Sequence, residues 1–146
     1  MSSAATMVRR TGRTSRPIFE ALTIVGLIGI AWIHLLDLAG KMEETPYLGW
    51  AYIGLIAGCA VAVVLLARRD HRGFVLGGGL AAATFAAYVL SRTTGLPAAT
   101  SDIGNWTETL GVLSLIAEGA VVVLSAAALS RRPDPSRTGA TQAIRG

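Results

Sequence analysis

A chain of 146 residues has room for one domain. At 52% hydrophobic and 15% charged, with mean hydropathy +0.54, it falls well short of the about 25% charged residues of an ordinary soluble domain, which points to a membrane protein. The net charge of +4 and the pI near 10.0 do not indicate nucleic acid. The arginines sit in short clusters at the ends of apolar segments, not on one polar face, and orientation in a membrane explains them better.

The chain opens with residues 1–16, a tail rich in Ser, Thr and Arg that is expected to be disordered and cytoplasmic. A helix needs about 20 mostly apolar residues to span a bilayer. The first such run, IFEALTIVGLIGIAWIHLLDLAG, covers 18–40. Its apolar core is longer than that of a signal peptide and no A-x-A site follows it, so it reads as an anchor. His34 and Asp37 lie three apart, on one face near its outer end. A short loop carrying Glu43 and Glu44 follows, and Pro46 suits the first turn of the next helix.

The second run covers 47–67 without a charge. Gly54 and Gly58 form a GxxxG that Ala62 continues, a pattern that lets helix backbones approach closely in lipid. Cys59 is a single cysteine, so no internal disulfide forms, and it reads as a small packing residue. The RRDHR turn precedes the third run, 73–91, where Gly77, Gly78 and Gly79 are again packing candidates and Tyr88 lies near the outer end. A second polar loop holds Asp102 and Glu108, with Thr107 or Asn105 as candidate caps for the fourth run, 109–130. That run is broken by Glu118, one turn below Ser114. The RRPDPSR segment then stops the helix, and residues 131–146 read as a disordered tail.

The predicted fold is all-α, a four-helix transmembrane bundle over 17–130. Arginines cluster in both tails and in the 68–72 turn, whereas the other two connections hold only Lys41 and Arg92. Basic residues stay cytoplasmic, so both termini are expected inside, in a bacterial plasma membrane. On this topology His34 and Glu118 differ in depth by only about 6 Å. A charge at such depth is expensive and should face the bundle and find a partner. His34, Asp37, Tyr88, Ser114 and Glu118 are therefore the candidate polar cluster, and Glu43, Glu44, Asp102 and Glu108 the outer-loop acids.

Pro46-Tyr-Leu-Gly49, Tyr88-Val-Leu-Ser-Arg-Thr-Thr-Gly-Leu-Pro97, Ile103-Gly-Asn-Trp106 and the Ser114 to Glu118 segment resemble small four-span membrane proteins of actinobacteria. The resemblance covers about residues 18–130. That family has no established activity, so the resemblance implies topology and bacterial origin.

The sequence holds no GxxxxGK[ST], HExxH or GxSxG, which points away from an enzyme. No cofactor is expected, and a bis-histidine haem is excluded because His71 lies in the cytoplasmic turn. The favoured reading is a structural or accessory membrane protein, its partners being the lipid bilayer and a larger membrane complex or a second copy. The alternatives are a proton-coupled small-molecule transporter using Glu118, and an outward-facing zinc or manganese site made by His34, Asp37, Glu43 and Glu44.

Overall fold

The computed structural model describes residues 3–131, with side chains from residue 16 onward. Of the two tails expected to be disordered, 131–146 lies outside the described residues except for Arg131. The side chains of the other, 1–16, are described only at Arg16. Four helices follow in chain order: α1 (Ser3–Glu44), α2 (Pro46–Ala67), α3 (Arg72–Thr93) and α4 (Thr109–Ser130). Each is long and apolar enough to cross a membrane, α1 through its Arg16–Glu44 part. A single 3₁₀ turn, Thr100–Asp102, lies in the connection between α3 and α4.

α1 runs on to Glu44 instead of stopping at Gly40, which places Lys41, Glu43 and Glu44 in its last turn and leaves Thr45 as the whole connection. One glycine does not end a helix that retains its backbone partners, whereas a proline removes the next N–H and pushes the preceding residue out of the helical region. Thr45 accordingly takes φ −148° and ψ 80°, and Pro46 opens α2 as expected. The expected caps of α4 are replaced as well. Glu108 occupies the position before the first turn, in an extended conformation and without a side-chain capping bond.

The helices pack in a ring. Each lies against its neighbours in sequence, α1 closes on α4, and α1 and α3 face each other across the diagonal. The buried stripes show why. Glu20, Thr23, Leu27, Ile30 and His34 recur at alternating intervals of three and four along α1, as do Ser114, Glu118, Val121 and Ser125 along α4. That spacing keeps one seam of each helix turned to the bundle axis. Large apolar side chains such as Val25, Trp32, Ile116 and Val123 point outward and are more than half exposed in the isolated chain. A hydrophobic exterior of this kind fits a lipid solvent.

Two ends can be told apart. The arginine end carries Arg16, Arg68, Arg69, Arg72 and Arg131; the acid end carries Glu43, Glu44, Asp102 and Glu108. Between them lies a tightly packed apolar layer of Leu27, Ile30, Cys59, Ala62, Ala81 and Val121. A Cβ added at Gly77 would come within 3.0 Å of Leu27, and one at Gly26 within 2.5 Å of Val121. The packing glycines divide by face. Gly58 meets Leu80 and Gly78 meets Ser125, whereas Gly54 and Gly79 have nothing within 4 Å and are exposed.

Candidate functional site

Above the apolar layer, towards the acid end, the four helices enclose a cavity of about 100 Å³. The register that buries Leu27 and Ile30 turns the next positions of the same stripe, His34, Asp37 and Lys41, onto its wall. α2 adds Tyr52, α3 adds Thr84, Tyr88, Ser91 and Arg92, and α4 adds Ser114 and Glu118. Asp102 and Glu108 line it from the α3–α4 connection.

Its floor is the pair His34 and Glu118. His34 Nε2 stands 4.0 Å from Glu118 Oε1, and both side chains are almost fully buried. His34 Nδ1 lies 2.9 Å from the Ile30 carbonyl. A carbonyl only accepts, so Nδ1 carries a proton, and Nε2 holds a lone pair whenever the ring is neutral. Ser114 donates its hydroxyl proton to Glu118 Oε1 at 2.6 Å, and Glu118 Oε2 has no hydrogen-bond partner among the described residues. An ionised Glu118 and a neutral His34 would turn acceptor against acceptor.

Asp37 stands apart from this pair and accepts a hydrogen bond from the Tyr52 hydroxyl at 3.3 Å. Tyr52 joins the two sites, because its ring meets the His34 ring edge to face with centroids 4.6 Å apart. Tyr88 reaches the same cavity but makes no hydrogen bond there; its hydroxyl is buried without a partner. The ring lies under the Arg92 guanidinium at 4.7 Å and over Gly111, where an added Cβ would come within 2.5 Å of it.

The mouth is built by Arg92. This side chain is only 5% exposed, at 3.0 Å from Asp102 Oδ1 and hydrogen-bonded to Glu108. Gly104, at φ +79°, turns the connection so that its N–H donates to the Arg92 carbonyl at 2.9 Å. Gly95, also at φ +79°, ends α3 and directs the chain over the cavity. Tyr47 pins the loop by donating to the Pro97 carbonyl at 2.7 Å. Lys41 reaches Glu44 at 3.2 Å and Asp102 at 3.7 Å, tying α1 to the same loop.

Among the candidate acids, therefore, Asp102 and Glu108 line the cavity, Glu44 pairs with Lys41 outside it, and Glu43 is exposed at the end of α1. His34, Asp37, Glu43 and Glu44 do not converge. Among the described residues no group of three or more His, Cys, Asp or Glu side chains is placed to hold a metal ion.

Sequence reasoning missed Arg92, Lys41 and Tyr52 as site residues. The available signal was that Lys41 and Arg92 are the only cations among five acids at this end. Compared with protein-family models, with curated proteins and with solved structures, the chain matches none.

Proposed function

We propose that this small multi-pass membrane protein is a proton-coupled carrier of a small solute. It sits in a bacterial cytoplasmic membrane with the arginine end inside and the cavity opening outward. The observation that supports a carrier best is Glu118. It is a fully buried carboxyl on the floor of the cavity, with one oxygen lacking a partner among the described residues and His34 Nε2 4.0 Å from the other. A polar network kept only for packing satisfies its members, because a half-satisfied one is worse than an apolar core. That asymmetry moves the reading from an accessory protein, favoured by the sequence alone, to one that binds and releases something.

The chemistry follows from the pair. Two facing acceptors in a low-dielectric interior require a proton between them, held as the carboxylic acid or as the imidazolium. The groups around that proton are Asp37 and Lys41 on α1, Tyr52 and Cys59 on α2, Tyr88 and Arg92 on α3, and Asp102 and Glu108 in the α3–α4 connection. A solute entering from the mouth meets this proton at the floor and competes for the same acceptors. The apolar layer beneath blocks onward passage in the conformation described. Beyond it the buried hydroxyls of Thr23 and Ser125, both without partners among the described residues, supply a second polar step towards Glu20. Polar steps on both sides of a dry plug suit alternating access, in which the plug, not the site, moves.

Infrared difference spectroscopy of the full chain in nanodiscs tests the shared proton. The wild type is expected to show either a protonated-carboxyl band or an imidazolium signal at neutral pH, changed by Glu118→Gln while the helix content stays. A Glu118 carboxylate beside a neutral His34 would refute the proposal.

A further inference from the structure

The chemical class of the solute can be read from which hydrogen-bonding groups of the cavity are still open. This inference rests on the cavity being a solute site, as proposed above. The donors at the floor are already engaged. Tyr52 donates to Asp37, Ser114 to Glu118, Thr84 to the Leu80 carbonyl at 2.9 Å, and His34 Nδ1 to the Ile30 carbonyl. The acceptors are open. Among the described residues Glu118 Oε2 has no partner, His34 Nε2 meets no donor, and Asp37 accepts only the long bond from Tyr52.

Charge points the same way. Four acids line the cavity, Asp37, Asp102, Glu108 and Glu118, against two bases, Lys41 and Arg92. Both bases are held at the mouth by Glu44, Asp102 and Glu108, so neither is free to meet an anion at the floor. The Tyr88 hydroxyl and Arg92 Nε are the donors left without partners, both on the α3 wall. A metal ion would need a ligand group that the described residues do not form. The volume of about 100 Å³ equals about three waters at roughly 30 Å³ each, which limits the guest to a few heavy atoms.

We propose that the cavity binds a small protonated amine, ammonium or a short alkylammonium, which displaces the proton shared by His34 and Glu118 to bulk water and donates its N–H groups to Glu118, His34 Nε2 and Asp37.

Isothermal titration of the full chain in nanodiscs tests this with methylammonium, acetate and potassium as probes. Methylammonium is expected to bind saturably, acetate not at all, and potassium at least tenfold more weakly, because it offers no N–H donors. Glu118→Gln is expected to weaken methylammonium by at least about tenfold, the scale of losing a charged hydrogen-bond partner. Asp37→Asn serves as the second variant if Glu118→Gln does not yield a monodisperse protein, and should weaken binding in the same direction. Acetate binding as well as methylammonium, potassium binding equally, no saturable methylammonium signal, or unchanged affinity in both variants would each overturn the assignment. Such a failure with the shared proton of His34 and Glu118 still present would remove the amine alone; loss of that proton would remove the carrier reading with it.

Discussion

Arg92 is where the account exposes itself most to measurement. Replacing it with glutamine removes the charge that Asp102 and Glu108 share, and leaves two carboxylates facing each other at the cavity mouth. Breaking a fully buried pair costs about 3–5 kcal/mol, and breaking an exposed one about 0–1. Arg92 is 5% exposed but its partners are 21% and 37% exposed, so solvent screens part of the loss. An intermediate value of about 2 kcal/mol follows. Losing the guanidinium above Tyr88 adds about 0.5–1 kcal/mol. The expected total, about 2–3 kcal/mol, is a roughly 30- to 150-fold shift in the unfolding equilibrium. Steric trapping or reversible unfolding in micelles measures it, with Arg72→Gln at the exposed start of α3 as a control within about 0.5 kcal/mol of wild type. The double variant Arg92→Gln, Glu108→Gln should recover part of the loss, because an unpaired carboxylate costs more than an absent pair. Equal stabilities for Arg92→Gln and Arg72→Gln would refute the reasoning.

Three further outcomes are expected. Gly111→Ala should destabilise by about 1–3 kcal/mol, since its Cβ meets the Tyr88 ring at 2.5 Å, whereas Gly54→Ala, in open space, should be neutral or slightly stabilising by thermal unfolding. Cysteine at Glu44 or Thr100, in a Cys59→Ala background, should react with an impermeant thiol reagent on intact cells, and cysteine at His71 should not; the reverse pattern would invert the topology. Gly104→Ala, forced to φ +79°, should cost about 1–2 kcal/mol and loosen the loop, read as faster proteolysis between α3 and α4.

The fold was largely legible because hydropathy in a bilayer is a strong constraint. Thr109–Ser130 falls where the apolar run lies, and Pro46 sets the start of α2. The meeting of His34 and Glu118 was also within reach, because depth along antiparallel helices follows from rise per residue alone. Arg92 was not. Topology rules count it as one charge at a span end, and nothing local says that it folds inward to collect Asp102 and Glu108 from a connection whose path depends on Gly95 and Gly104. Tyr52 was hidden for another reason. An aromatic near a span end reads as an interface anchor, and only helix rotation separates it from Trp50, which is 67% exposed. Rotation also divides Gly54 from Gly58, which the GxxxG pattern treats alike.

On the proposed function, small ions entering the cavity from the acid end reach the level of Ser114 and are stopped by the apolar layer. Silver ion, small and thiol-seeking, probes this in nanodiscs containing Ser114→Cys or Ser125→Cys in a Cys59→Ala background. The thiol left unblocked is measured by alkylation after denaturation. Cysteine at position 114, on the cavity wall, is expected to be blocked rapidly; cysteine at position 125, buried beyond the layer, should stay alkylatable on the same timescale. Protection of both positions, or blocking of 125 alone, would contradict the account.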